Sequence, residues 1–330
     1  MKLPRRQLLH LAAGAVALPA VSRFAWAQAW PSQPVTLVVP FGAGGGTDVV
    51  ARTVAPRLSA LLGQQVVIEN VGGAGGMTGT NRVARAAPDG YQIVIGVTGT
   101  HAQNQSLYKK PLYNAATDFA PVGLIAEGPY ILITRKDLPA ADLKEFSTYA
   151  KTNRSKMQFG SAGPGSGTHV TCLLLNSAIG IEITHVPYRS TALAMPDMLA
   201  GRIDYLCEPI QTALPLIQSN TVKAIATLSR ERTPSLLSLQ TAHEQGLTDF
   251  DAPVWFALFL PRGTPNAIIL RLNRALSDAL DDSVIRERLE SIGLRVAPLE
   301  WRSPEYLAKL VVSEIEKYAA PIKASGVSMD

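Results

Sequence analysis

A glycine-rich loop, PFGAGGGTD at residues 40–48, is the first stretch of the sequence with a composition suited to chemistry. It follows the apolar run VTLVV and precedes VVARTVAPRLSALL, which has the periodicity of an amphipathic helix. Its glycines leave backbone N–H groups uncovered at the start of that helix, where an anion is favoured. Thr47 or Asp48 is the predicted cap of this helix. The alternative is a tight turn between a strand and a helix that binds nothing.

The spacing of these glycines excludes two common nucleotide-binding motifs. The dinucleotide pattern G-x-G-x-x-G fails because Thr47 and Val49 stand where its third glycine would be. The phosphate-loop pattern fails because no Gly-Lys-Ser/Thr follows the glycines. The loop therefore predicts a site for an anion in general, without a nucleotide cofactor.

A second loop, GSAGPGSGTH at residues 160–169, offers the hydroxyls of Ser161, Ser166 and Thr168 ahead of another helix. Neither serine fits the hydrolase pattern G-x-S-x-G, and His169 has no acidic residue near it in sequence. The histidines are scattered singly, and no H-E-x-x-H or C-x-x-C occurs. The sequence thus predicts a binding protein with no catalytic residues, metal or cofactor.

Further polar residues follow the predicted strands of the chain. Thr100 and Asn104 in GTHAQNQ are one helical turn apart, which places them together in a cleft or, equally, makes them ordinary helix caps. Arg189 could pair with a ligand carboxylate, although such an arginine is more often solvated or paired with a neighbouring acid. Glu208 lies near the end of a later strand.

The N-terminal residues 1–27 are predicted to be an export signal. A basic stretch with Arg5 and Arg6 precedes an apolar run too short to span a bilayer, and AWA predicts cleavage after Ala27. Cleavage after Ala29 is a close alternative, and the paired arginines suggest the twin-arginine route. The other interpretation of residues 1–27 is that they form a buried first helix of the fold. With a signal, the mature protein is expected in the periplasm.

Charge gives no indication of a nucleic-acid partner. The whole chain of 330 residues carries a formal charge of +5, but residues 1–27 hold four basic residues and no acid, which leaves +1 for the rest. No block of Lys and Arg occurs elsewhere. We therefore expect no nucleic acid as a partner.

Strands and helices alternate along the rest of the chain, which predicts parallel sheets with helices on their faces. In such sheets ligands bind beyond the carboxyl ends of the strands, where the glycine loops lie. The chain is predicted to form one sheet, then a second, and then to return to the first. This order implies two α/β lobes, and the chain crosses between them near residues 128–131 and 252–255. Cys172 and Cys207 could pair in an oxidising compartment, but two small buried thiols are the favoured interpretation.

Six ordered motifs, PFGAGGGTD, NVGGAGGMTG, GTHAQN, SAGPGSGTHV, VPYR and MLAGRIDY, resemble those of the Bug-type substrate-binding proteins of tripartite tricarboxylate transporters. The resemblance covers nearly the whole mature chain. It implies the type II periplasmic-binding-protein fold, with residues 28–129 and 254–330 in lobe 1 and 130–253 in lobe 2. It also implies a small carboxylate or related organic anion as ligand, held between the lobes of a monomer, and large and small membrane subunits as partners.

The ligand-binding residues that we expect combine family positions with the polar residues described above. They are Phe41, Ala43, Gly44, Thr47, Asp48, Thr78, Thr100, Asn104, Ser161, Ser166, Gly167, Thr168, His169, Arg189 and Glu208. The sequence departs from the family after Asn70, where Val71 and Gly72 follow, and after VPYR, where Ser190 and Thr191 follow. These departures leave the ligand unidentified. A sensor that signals to a membrane receptor and, more remotely, an enzyme on the same fold remain as alternatives to uptake.

Overall fold

A computed structural model describes residues 30–248 and 250–329. The predicted signal and its cleavage position at Ala27 lie outside the described residues. The strands are β1 (Val35–Val39), β2 (Val66–Asn70), β3 (Gln92–Val97), β4 (Phe119–Thr134), β5 (Gln158–Ser161), β6 (Thr184–Pro187), β7 (Tyr205–Pro209), β8 (Lys223–Thr227), β9 (Pro253–Pro261) and β10 (Arg295–Val296).

Helices cover both faces of the sheet. They are α1 (Gly46–Leu62), α2 (Met77–Ala84), α3 (Asn104–Leu107), α4 (Leu143–Asn153), α5 (Gly167–Ile179), α6 (Thr191–Leu199), α7 (Ile210–Gln218), α8 (Asn266–Asp281), α9 (Ser283–Ser291) and α10 (Pro304–Ala324). A π-helical turn, Gly99–Gln103, precedes α3. None of the helices in the described part of the chain has the length and apolarity needed to cross a membrane.

The strands form one continuous sheet in the order β2-β1-β3-β9-β4-β7-β5-β6, with β8 and β10 also paired to β4. Pairing is parallel at both ends of this sheet and antiparallel in its middle, where β9 and β4 lie. The sequence predicted parallel sheets, and the antiparallel centre is the difference. It arises because β4 and β9 run between the lobes in opposite directions.

Strand β4 links the two α/β lobes. Residues Phe119–Pro129 of this strand pair with β9, and Tyr130–Thr134 pair with β7 and β8. The strand partners of β4 thus change at 129/130, within the segment 128–131 where the sequence analysis expects a crossing. We propose lobe boundaries at 129/130 and 253/254 for this reason, as the sequence suggested.

The first helix shows how the sequence builds lobe 1. Val50, Val54, Leu58 and Leu62 recur at helical spacing, and all four are buried in the core against the sheet. Pro56 lies inside the helix. Gly63 ends the helix with a left-handed φ of 74°, which a glycine adopts at little cost.

The two cysteines form a disulfide, so the favoured interpretation of two unpaired thiols is wrong. Cys172 on α5 and Cys207 on β7 have Cα atoms 5.5 Å apart, a separation at which a disulfide fits. The two cysteines lie close together because α5 packs near β7 in the folded chain, and the spacing of cysteines in the sequence does not reveal such a contact. The bond ties the helix that follows the second glycine loop to the strand that carries Glu208.

Candidate functional site

A cavity of about 40 Å³ lies between the lobes, with room for a few water molecules or one carboxylate group. Its walls come from the glycine loops, and its floor comes from the crossing strands. The residues that line it are Phe41, Gly45, Gly46, Thr47, Val97, Tyr130, Ala162, Ser166, Gly167, Thr168, Ser190, Thr191, Pro209, Val254 and Phe256. Neither a basic nor an acidic side chain is among these lining residues.

Four helices begin at this cavity. Gly46 is the first residue of α1, Gly167 of α5 and Thr191 of α6, while Pro209 immediately precedes α7. The first N–H groups of a helix have no partner within the helix, and the helix dipole adds partial positive charge there. The cavity is therefore suited to a negatively charged group although no cation lines it.

Hydroxyl groups hold the start of α5 in place. Ser166 caps the helix by accepting a hydrogen bond from the His169 N–H at 3.3 Å. Its Oγ also lies 2.9 Å from Oγ1 of Thr168, which accepts from the Ala162 N–H at 2.9 Å. Both hydroxyls line the cavity, and Gly167 lies between them. Three of the residues expected at the site are thus brought together here.

His169 and Ser161 lie behind this wall. Nδ1 of His169 accepts from the Gly165 N–H at 3.2 Å, and burial together with His185 lowers the pKa of His169 to about 3. The imidazole is therefore neutral near pH 7. The Ser161 hydroxyl bonds Nε2 of His185 at 2.7 Å and accepts from the Gly163 N–H at 3.0 Å. Both side chains fix the shape of the loop.

The first glycine loop is held by Asp48. Its carboxylate accepts from the Gly44 N–H at 2.9 Å, from Arg52 Nε at 2.8 Å and from Asn70 Nδ2 at 2.9 Å. Burial raises the pKa of Asp48, but these hydrogen bonds and the Arg52 charge outweigh it and leave the pKa below its usual value. Asp48 is therefore an ionised anchor of the loop. Phe41 and Thr47 line the cavity, whereas Ala43 and Gly44 are exposed.

The remaining expected residues are placed away from the cavity lining. Thr78 and Arg189 are exposed, and Arg189 contributes its backbone oxygen, which accepts from the Gly42 N–H at 3.0 Å. Thr100 is buried and bonds the backbone of Val97. Asn104 is also buried, and its amide atoms have no hydrogen-bond partner among the described residues.

Glu208 is buried in the wall beside the cavity, with 1% of its surface exposed. Its Oε1 accepts hydrogen bonds from Thr191 and Thr212, while Oε2 has no partner within the described chain. Burial raises the pKa of Glu208 to about 7, and the two threonine hydroxyls only partly offset this. The carboxylate therefore titrates near neutral pH.

Sequence reasoning missed the floor of the cavity. Tyr130, Val254 and Phe256 come from the crossing strands, and their apolar pattern is the same as that of ordinary core strands. The Tyr130 hydroxyl lies so close to Gly167 that a Cβ there would overlap it. The wall at Thr191 carried a usable signal, because Ser190 before an apolar run is a typical helix cap.

Glycines let the two lobes close against each other. A Cβ at Gly75 of lobe 1 would overlap the Pro164 carbonyl oxygen of lobe 2, and one at Gly99 would lie 2.7 Å from the Gly167 nitrogen. The Tyr108 hydroxyl donates to the Pro164 oxygen at 3.2 Å across the same boundary. The structure is thus a closed arrangement around the cavity.

Comparisons with known proteins agree with this geometry. Residues 50–327 match the family described as tripartite tricarboxylate transporter family receptor. MatC (Rpa3494) from Rhodopseudomonas palustris, solved with bound malate, is 41% identical with a TM-score of 0.87, over 89% of this chain and 100% of its own.

Two further solved structures are similar. The periplasmic binding protein BugD is 38% identical with a TM-score of 0.87, over 91% of this chain and 100% of its own. R. palustris Rpa4515 with adipate is 34% identical with a TM-score of 0.85, over 91% of this chain and 99% of its own. The chain therefore belongs to the tripartite tricarboxylate transporter receptor family, the Bug-type periplasmic binding proteins that its motifs resemble.

Proposed function

We propose that this protein captures a small carboxylate or related organic anion between its lobes and delivers it to a tripartite membrane transporter. The observation that carries the proposal is the convergence of four helix N-termini on one cavity that no basic side chain lines. Backbone N–H groups and dipoles then supply the positive potential. The malate and adipate bound to two similar proteins are small carboxylates. The proposed activity is binding by a monomer, without a reaction.

The proposed carboxylate contacts come from both lobes. Gly46 and Thr47 approach it from α1, and Ser166, Gly167 and Thr168 approach it from α5. A ligand that bonds both sets of groups at once stabilises the closed arrangement over an open one. We assign Asp48, Ser161 and His169 to supporting the two loops, since each accepts a hydrogen bond from a glycine N–H of its loop.

Titration calorimetry with a panel of mono-, di- and tricarboxylates tests this function. The double variant Ser166→Ala with Thr168→Val removes two hydroxyls from the cavity and should weaken binding by about tenfold or more. Arg189→Gln should change affinity by less than about threefold, because the guanidinium is exposed and outside the cavity lining.

A second capping serine provides the matched control. Ser303 caps α10 by accepting from the Tyr306 N–H at 3.0 Å, and it is not among the residues that line the cavity. Ser303→Ala should therefore leave affinity unchanged at a similar cost in stability. If Arg189→Gln lost binding while the double variant bound normally, the ligand would be held by a salt bridge to Arg189 and not by the backbone. Failure of every acid to bind would reject the function.

We also propose export by a cleaved signal peptide and partnership with the large and small transporter subunits. The basic, apolar and AWA segments of residues 1–27 support export. Exported protein should begin at Gln28 or Trp30, and an intact Met1 on that protein contradicts cleavage. Deletion of the gene should abolish uptake of the bound acid. Normal uptake combined with a lost transcriptional response to that acid would identify a sensor instead.

A further inference from the structure

Glu208 presents one carboxylate oxygen that the protein itself leaves unpaired. Oε1 accepts from Thr191 at 2.7 Å and from Thr212, and none of the ion pairs among the described residues includes this glutamate. Oε2 is buried and has no hydrogen-bond partner in the same part of the chain. A buried acceptor without a donor costs free energy, so its presence requires an explanation.

Three residues of the cavity wall place this carboxylate beside the ligand space. Thr191, which donates to Oε1, lines the cavity, and so does Pro209, the next residue after Glu208. Tyr130 also lines it, and the negative charge of Glu208 adds to the effect of burial in raising the pKa of the Tyr130 phenol. Glu208 therefore belongs to the wall on the side of α6 and α7.

Two further polar side chains on this side of the cavity are unpaired. The Ser190 hydroxyl and both polar atoms of the Gln211 amide are buried and have no hydrogen-bond partner among the described residues. Gln211 extends towards lobe 1, since its Nε2 would lie 2.5 Å from a Cβ at Gly46. Ser190 likewise lies against lobe 1, since its Cβ and Oγ would each lie 3.3 Å from a Cβ at Gly42. A ligand in the cavity can supply partners for this polar side of the site.

We propose that the ligand carries a hydrogen-bond donor, a hydroxyl or an amine, in addition to its carboxylate, and that Oε2 of Glu208 accepts from this donor. The inference rests on the proposed function and specifies the ligand class of the same site. The helix N-termini hold the carboxylate, while Glu208 selects the substituent. Once Glu208 has ionised, a ligand whose substituent is only an acceptor would face its carboxylate with no hydrogen to share. Hydroxy and amino acids are therefore favoured over the unsubstituted acids.

Matched pairs of acids test this selection. Calorimetry at about pH 8, where Glu208 is mostly ionised, compares D- and L-malate and D- and L-aspartate with succinate, and 3-hydroxybutyrate with butyrate, each on the purified protein without its signal. We expect at least one substituted acid to bind about tenfold or more tightly than its unsubstituted partner. Glu208→Gln keeps the acceptor for the threonines and turns an amide donor toward the ligand. In this variant the ratio should fall below about threefold for an amino acid, because an ammonium has no lone pair to accept from the amide. A hydroxyl can accept from that amide, so for hydroxy acids the ratio should fall in Glu208→Asp, which withdraws the acceptor.

Control variants separate this inference from the function itself. Glu182→Gln makes the same substitution at an exposed position of lobe 2 and should keep the wild-type ratio. Thermal melts establish whether each variant folds. If Glu208→Gln does not fold, Glu208→Asp, which withdraws the carboxylate from the ligand, takes its place. Equal binding of substituted and unsubstituted acids, or an unchanged ratio in the Glu208 variant, overturns the inference alone. Binding of no acid overturns the function and the inference together.

Discussion

At the scale of a residue, Glu208 makes the stability of the fold depend on pH. Burial raises its pKa to about 7, above the usual value of 4.5. Between these two values the folded protein keeps a proton that the unfolded chain has released, so stability falls as pH rises through this window. The expected loss approaches about 1.4 kcal/mol per pH unit inside the window. Glu208→Gln does not titrate and should lack this loss.

Measurement of the difference between wild type and Glu208→Gln isolates this effect. Burial lowers the pKa of His101 and His169 to about 3 and that of His185 to about 4, with the charge of His185 also acting on His169. These histidines give the opposite trend, a rise in stability with pH up to about 6.5. Urea unfolding of both proteins without ligand, from pH 5 to 8, should show the wild type losing stability relative to the variant. A constant difference would mean that Glu208 ionises at an ordinary pH.

At the scale of elements, the disulfide joins α5, whose first residue lines the cavity, to β7, which carries Glu208. The cysteines are 35 residues apart, so the bond removes many conformations from the unfolded chain. Cys172→Ser with Cys207→Ser should lower the free energy of unfolding by about 2–4 kcal/mol. Reductant should shift the urea midpoint of the wild type by a similar amount and leave the variant unchanged. If the urea midpoint of the wild type were the same with and without reductant, the two thiols would be unpaired in solution.

The same elements show how far sequence reasoning extends. Glycine loops before helices predicted the starts of α1 and α5, because the local backbone alone requires those residues. Parallel pairing of β1 with its neighbours also followed from the alternation of strands and helices. The antiparallel crossing strands, the Tyr130 floor and the disulfide depend on contacts between distant segments. No local pattern specifies those contacts.

At the scale of the whole molecule, closure of the lobes depends on backbone contacts that glycines permit. The loop around Gly75 lies against Pro164 of lobe 2, and the Gly42 N–H donates to the Arg189 oxygen. Such contacts form only when the lobes close, so a ligand held by both lobes shifts the population toward this arrangement. Affinity and closure should therefore be lost together when the contact is obstructed.

Gly75→Ala tests this coupling. Gly75 has a φ of 60°, and a Cβ there would overlap the backbone of Pro164 and Gly165, which cannot move aside as a flexible side chain does. We expect the variant to bind its acid at least tenfold more weakly and to show no ligand-induced compaction in small-angle X-ray scattering. Gly63→Ala is the matched control, since its φ of 74° imposes a similar backbone strain with no atom within 4 Å of the new Cβ. Normal compaction of Gly75→Ala would show that closure proceeds without this contact, whereas equal loss in both variants would attribute the effect to backbone strain.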